Sequence, residues 1–348
     1  MYLFLILLVS IFSTINCQDD IPLPSMDELN PNRISSLFAS YMKEFGKEYD
    51  DLSEQERAKF NFEKSVRDII ELNEKYKDQS MEFGLNQYSD LSDQEFSDQL
   101  LNLDCRNKSL SDYLDINSID PHNFAPLPAS FDWRSRSNTV GPVRDQGRCG
   151  CCWAFAATAV TQSVYAIRNN VLIQPSEAQL CDCGMKNRAG CNGGSIYGAF
   201  RYIKNNGISR ESDYPKYTDQ RAMTYRSCED RNKPNNIKLT SYTLLDPSNA
   251  LAIQQMLVAK GPIAVGFAVG MSYRNYRSGI FSMSDCNDPR RLLGFHAVTV
   301  VGYGTENGVP YWLIKNSWGS RWGMSGYQKF YRGSDLCGLE TSEVVYAT

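Results

Sequence analysis

Three cysteines fall within four positions, Cys149, Cys151 and Cys152, inside the stretch DQGRCGCCWAF from Asp145 to Phe155. Behind them an Ala-rich apolar run starts at Trp153 and continues to about Ile167, which suits a buried helix. Gly147 and Gly150 permit a tight, irregular approach to it. A thiol in the first turn of a helix meets unpaired backbone N–H groups and the positive end of the dipole. Both favour the thiolate, the reactive form, and make Cys152 a candidate nucleophile. Such a nucleophile needs a base that holds a proton near neutral pH, and imidazole is suited to that. The chain has only two histidines, His122 and His296, and His296 stands just before the apolar run Ala297–Val301. Spacing alone leaves open which cysteine reacts, or whether all three sit in disulfides or a zinc site.

At 348 residues, with 42% hydrophobic and 22% charged, the chain is globular in composition and long enough for two or more folded parts. Residues 2–15 form one apolar run, shorter than a membrane span. They read as a signal peptide over 1–17, with an uncleaved anchor as the alternative. Export to an oxidising compartment would follow. Ser35–Lys77 reads as two amphipathic helices, with Leu37, Tyr41 and Phe45 on one face of the first. Phe62, Val66, Ile69 and Asn73 recur along the second. Short apolar runs at Ile263–Val269, Ala297–Val301 and Tyr311–Ile314, separated by Gly and Asn turns, read as antiparallel strands. Charge divides the chain: residues 18–126 carry 24 acidic against 11 basic side chains, residues 127–348 carry 16 against 25. Opposite balances of −13 and +9 favour docking of the two parts, which protonation of carboxylates would weaken.

The Gln146–Trp153 stretch resembles the nucleophile loop of papain and the lysosomal cathepsins, Q-G-x-C-G-x-C-W. The resemblance implies Cys152 as nucleophile, Gln146 as the oxyanion-binding side chain and Cys149 as half of a disulfide. Cys151 departs from the pattern, which carries a small residue there. His296 lies 144 residues beyond Cys152, within the family's range of roughly 130–150. Trp312–Gly319, WLIKNSWG, resembles the family's asparagine motif, with Asn316 orienting the imidazole and Trp318 shielding that bond.

Upstream, Glu54, Phe62, Ile69 and Asn73 fit the E-R-F-N-I-N stripe of papain-like zymogens, while Ala58 and Ser65 replace its Arg and Asn. Gly84, Asn86, Tyr88 and Asp90 resemble the G-x-N-x-F-x-D signature, with Tyr for Phe. The implied organisation is that of a cathepsin L-like zymogen. It comprises a signal peptide 1–17, an inhibitory prosegment 18–126 with a helical inhibitor region over 33–90, and a mature domain 127–348. The Pro-rich join Pro121–Pro128 is open to nicking, and Phe131-Asp132-Trp133-Arg134 resembles a mature N-terminus. Asn107 is the one glycosylation sequon. The implied fold is α+β and two-lobed, a helical left lobe beside an antiparallel, β-barrel-like right lobe, with the site between them.

Carried over residue by residue, Gly193 and Gly194 of the C-N-G-G stretch bind substrate backbone. Ile196, Tyr197, Gly266, Gly294, Ala297 and Ser342 wall the pocket for the residue two places before the cut; Trp318 also borders the cleft. Small residues at Gly266, Gly294 and Ser342 suggest an apolar pocket, with Glu343 leaving room for a basic residue. Family pairing implies disulfides Cys149–Cys191, Cys183–Cys228 and Cys286–Cys337. Cys151 and Cys181 are then left, either as a fourth bridge or as free thiols. Phe295 before the histidine and the long spacing from Cys286 to His296 depart from common relatives. With no His-rich occluding insertion, the implied activity is a cofactor-free, metal-free cysteine endopeptidase acting through a thioester. Its partners would be protein and peptide substrates, its own prosegment and cystatin-type inhibitors. Its setting would be a lysosome-like acidic compartment or the extracellular space. A catalytically silent secreted binding protein is the alternative. No basic cluster favours nucleic acid, and no later stretch is long enough for a membrane span.

Overall fold

The computed structural model describes residues 21–103, 116–117, 126–185, 190–214, 227–229, 234, 236–245 and 248–348. The expected signal peptide, Asn107, His122 and most of the Pro-rich join lie outside the described residues. Among the described residues, no helix is long and apolar enough to cross a membrane.

The N-terminal region opens with α1 (Pro31–Phe45) and α2 (Leu52–Lys75). Proline at the first position and the Asn30 side chain, which accepts from the Arg33 N–H, start α1; left-handed Gly46 ends it. Asp51 caps α2 by accepting from the Glu54 N–H. The two predicted stripes meet: Phe62 lies 5.4 Å from Phe38 and 4.8 Å from Tyr41, ring centre to ring centre. Asn73 does not pack. Its side chain exchanges two 2.9 Å hydrogen bonds with the backbone of Phe83, fixing the short strand β1 (Glu82–Phe83). A capping box of Ser92 and Glu95 then starts α3 (Asp93–Leu100).

The remainder contains α4 (Cys152–Asn169), α5 (Glu177–Cys183), α6 (Ile196–Asn206) and α7 (Ala250–Lys260). Its strands are β2 (Ile116–Asn117), β3 (Phe131–Asp132), β4 (Tyr242–Leu245), β5 (Ile263–Gly270), β6 (Tyr276–Ser278), β7 (Ile280–Phe281), β8 (Leu292–Glu306), β9 (Val309–Lys315), β10 (Tyr327–Tyr331) and β11 (Val344–Ala347). The main sheet runs β2-β4-β11-β5-β8-β9-β10-β7, with β3 on β8. The expected barrel-like lobe is therefore an open sheet, since β2 and β7 end the path unpaired with each other. The three predicted runs fall in β5, β8 and β9, which pair antiparallel.

One apolar core surrounds α4, α6 and their neighbours. A second lies under the sheet, and the N-terminal helices belong to it. Tyr88 and Phe96 pack edge-on against Trp318, and Trp318 against Tyr273 and Trp322, with ring centres 5.0–6.0 Å apart. At the rim of this contact Arg274 is 2% exposed. It donates to the Leu91 carbonyl and Ser65 Oγ and pairs with Asp93 at 3.2 Å. The β1 strand pairs with β6, so the N-terminal region also extends a backbone ladder.

The two cores are tied by Glu343, beside β11. Its carboxylate accepts from the Ile196 and Tyr197 N–H groups at 3.1 and 2.8 Å, the first turn of α6. That use of the carboxylate on a helix N-terminus replaces the expectation that Glu343 serves a basic substrate residue. Glu343→Ala leaves two buried helix N–H groups without this acceptor and is expected to cost about 2 kcal/mol, read as a lower urea midpoint at unchanged slope.

Candidate active site

Cys152 is the first residue of α4, and the loop before it is held from two sides. Cys149 is bonded to Cys191, with Cα atoms 4.5 Å apart, and the Gly150 N–H donates to the Cys191 carbonyl at 3.0 Å. A Cβ on Gly150 would stand 2.5 Å from that oxygen and 2.3 Å from Asn102 Nδ2, so only glycine lets the strands close. Cys152 is fully buried. Its sulfur is in hydrogen-bond reach of the backbone N–H of Ala297, the residue after His296.

His296 lies on β8, opposite Phe267 of β5, and is fully buried. Asn316 follows the end of β9. Its Oδ1 accepts from the Ser317 N–H at 2.7 Å, which fixes the amide orientation, and meets His296 Nε2 at 2.8 Å. An oxygen acceptor there puts the proton on Nε2, so Nδ1 keeps its lone pair. Among the described residues His296 Nδ1 has no hydrogen-bond partner. The Trp318 ring covers the imidazole at 4.6 Å.

Gln146 is buried beside them. Its Oε1 accepts from Ser317 Oγ at 2.7 Å, which turns the Nε2 donors toward the Cys149 carbonyl at 2.9 Å and the Leu100 carbonyl at 3.2 Å. Leu100 belongs to the N-terminal region. From there the chain passes through the cleft: the Gly194 N–H donates to the Asn102 carbonyl at 3.2 Å, and the Leu103 N–H donates to the Phe295 carbonyl at 3.3 Å. Both bridges, Leu103 to Gly194 and Asn102 to Phe295, are parallel. A Cβ on Gly193, whose φ is +107°, would come 2.5 Å from the Asn102 oxygen, so this wall accepts an extended backbone only because it is glycine.

Burial dominates the protonation of the site. Burial pushes the Cys152 thiol up to about 12, against the lowering contacts from Ala297, Trp153 and Asn102 backbone. Burial also pushes His296 down to about 4, against the raising bond to Asn316. With the cleft filled, both groups are neutral near pH 7. Loss of water disfavours a thiolate–imidazolium pair here.

Of the residues predicted from the sequence, Asn316 and Trp318 lie against His296, Gln146 joins them through Ser317, and Cys152 meets the group through the Ala297 N–H. Gly193, Gly194 and Gly294 line the filled cleft; a Cβ on Gly294 would meet Leu101 Cβ at 3.0 Å. Ala297 pairs with Gly266, and Ser342 Oγ donates to the Gly266 carbonyl. Ile196 and Tyr197 are buried with Leu103 and Ala297 in one apolar cluster. Disulfides join Cys149–Cys191, Cys183–Cys228 and Cys286–Cys337; Cys151 and Cys181 are buried free thiols. With Cys149 oxidised, its cluster with Cys151 and Cys181 offers only two thiols, too few for a closed zinc site. Sequence reasoning missed Leu100–Leu103 as the cleft's occupant and Arg274 as its neighbour's anchor. The apolar Leu100-Leu101-Asn102-Leu103 after a capped helix is a signal for the first; nothing local marks the second.

Residues 127–348 match the papain family cysteine protease, and residues 38–96 match the cathepsin propeptide inhibitor domain. The chain is 35% identical over 322 residues to a cathepsin L-like proteinase of Phaedon cochleariae, covering 90% of this chain and 93% of that one. It is 37% identical over 317 residues to the thiol protease aleurain of Arabidopsis thaliana, covering 90% and 84%. The structure of digestive procathepsin L2 proteinase from Tenebrio molitor larval midgut superposes with a TM-score of 0.79 at 31% identity, covering 90% of this chain and 99% of that one. The chain belongs to the papain family of cysteine proteases and carries the family's propeptide inhibitor domain ahead of its peptidase domain.

Proposed function

We propose that the chain is made with a leader over 1–17 and a prosegment over 18–126, and that residues 127–348 act as a Cys-His-Asn endopeptidase once the prosegment leaves. The observation that carries this reading is the lone pair on His296 Nδ1, with Nε2 held by Asn316 and the adjacent Ala297 N–H in reach of the Cys152 sulfur. In an open, wet cleft Cys152 gives its proton to Nδ1, and the sulfur attacks a peptide carbonyl. The oxyanion is held by Gln146 Nε2 and the Cys152 N–H. His296 then protonates the leaving amine, and water cleaves the thioester. The Leu100 carbonyl, at the end of α3 where helix carbonyls lack intrahelical donors, takes the Gln146 donor that an oxyanion would use.

An apolar residue two places before the cut is supported by the apolar cluster that Leu103 shares with Ile196, Tyr197 and Ala297. Family membership is consistent with an acidic or extracellular setting and with cystatin-type inhibitors. Cys152→Ala is expected to lower peptide cleavage by about 10⁴-fold or more and to abolish labelling by an epoxide inhibitor. Retained activity with Cys151 labelled instead would move the nucleophile by one residue.

Docking of the prosegment should weaken on acidification. His296 is neutral in the filled cleft down to about pH 4, whereas a solvated imidazole takes up a proton near 6.5. In Cys152→Ala, where no thiol can supply that proton, release therefore gains a proton from solvent between these limits, and its free energy falls as pH drops from about 6.5 toward about 4. Full-length Cys152→Ala, unable to process itself, is expected to be cut in trans by wild-type mature enzyme up to about tenfold faster per pH unit across that window, after correction for the enzyme's own pH profile. Equal corrected rates at neutral and acid pH would refute it.

A further inference from the structure

Two nucleophilic side chains beside the site take no part in acyl transfer. Cys151 and Cys181 are thiols with no solvent exposure. Cys181 touches Cys151, and burial first, then that contact, holds its pKa well above the usual thiol value. The sulfurs of Cys149, Cys151 and Cys181 all lie within 4.8 Å of one another, and Cys151 Sγ is 3.2 Å from Cys149 Sγ. Cys149 is not a thiol but half of the Cys149–Cys191 disulfide. A thiol in contact with a disulfide sulfur, backed by a second thiol, is the arrangement that thiol–disulfide exchange requires. Cys191, at the far end of the chain of sulfurs, is half-buried, whereas Cys149, Cys151 and Cys181 are fully buried.

We propose that Cys149, Cys151 and Cys181 form a thiol–disulfide exchange relay through which the bridge at the cleft wall moves from Cys149–Cys191 to Cys151–Cys181. In the first step Cys151 Sγ bonds to Cys149 Sγ, the Cys149–Cys191 bond breaks, and the Cys151 proton passes to the Cys191 sulfur. In the second step Cys181 Sγ bonds to Cys151 Sγ, the Cys149–Cys151 bond breaks, and the Cys181 proton passes to Cys149. Two thiols and one disulfide exist before and after, so no oxidant is needed. A low-mass disulfide such as oxidised glutathione then closes Cys149–Cys191 again. It accepts two electrons and the two thiol protons and leaves as two glutathione thiols, and the chain holds four bridges. Small molecules meet the relay at Cys191, and the buried pair is oxidised without being exposed. The relay also links the two walls of the cleft, because Cys151 precedes the nucleophile at the start of α4 and Cys191 precedes Gly193 and Gly194. It does not use the Cys152 sulfur and stands whether or not the proposed mechanism does.

The test uses the full chain, held at about pH 9.5 without reductant, because exchange runs through the thiolate and burial disfavours that form of Cys181. It is alkylated with iodoacetamide, quenched in acid and mapped by non-reducing digestion with fragment-ion sequencing. The expected result is alkylated Cys191 together with a Cys151–Cys181 cross-link, converted by oxidised glutathione to a four-bridge form with Cys191 protected. In Cys181→Val the first step has no exit and reverses, so alkylation of Cys191 falls several-fold. Recovery of Cys151 and Cys181 as free thiols under both treatments, with Cys191 never labelled, overturns the proposal. Equal labelling of Cys191 in Cys181→Val overturns it as well.

Discussion

Separation of charge between a thiol and an imidazole needs a polar surrounding, and in this chain the surrounding is supplied or withdrawn by one strand of its own backbone. Leu100–Leu103 fills the cleft with peptide groups that are already hydrogen-bonded to Gln146, Gly194 and Phe295. One of them, the Asn102 backbone, still favours a Cys152 thiolate, but only weakly beside burial. Burial then outweighs the favourable contacts at both groups, leaving Cys152 near 12 and His296 near 4. Desolvation alone is enough to disfavour the ion pair in this arrangement.

Such a cover must be anchored, since four residues of strand cannot hold themselves in a groove against the entropy of ordering them. The anchor lies behind the site. Trp318, which covers the imidazole, also receives Phe96 at 5.3 Å and Tyr88 at 6.0 Å, so the ring that shields His296 is part of the docking surface. Arg274 adds a buried cation whose partners, Asp93, the Leu91 carbonyl and Ser65, all lie in the prosegment. Removal of the prosegment therefore exposes aromatic surface and leaves a desolvated guanidinium to be rehydrated.

Much of the candidate site was legible in the chain because its signals are local: Cys152 at a helix start, the Asn316 loop after an apolar strand, and Gln146 six residues before Cys152. The amphipathic stripes of α1 and α2 and the runs that became β5, β8 and β9 were legible for the same reason, as periodic burial. What could not be read depends on contacts between distant segments. The occupant of the cleft is joined to walls about 90 and 190 positions away, at Gly194 and Phe295. The carboxylate of Glu343 was misread because its acceptors' partners, two N–H groups of α6, are more than 140 positions earlier. Closure of the β lobe failed as an expectation because strand runs report pairing partners poorly and sheet ends not at all.

Two departures from the zymogen stripe, at Ala58 and Ser65, fall at buried positions. Ala58 stands where the pattern has Arg, and it is a buried core residue. Asp90, from the second signature, is buried too and still needs a cation. Lys47 supplies it at 2.8 Å, and the Tyr41 and Tyr49 hydroxyls donate to the same carboxylate at 2.8 and 3.0 Å. Ser65, in place of Asn, still meets a donor, but that donor is Arg274 from the peptidase domain. Asp90 and Ser65 are thus both satisfied, the first within the N-terminal region and the second from the peptidase domain. The two departures in the stripe leave neither buried group without a partner, because distant segments of the folded chain supply one.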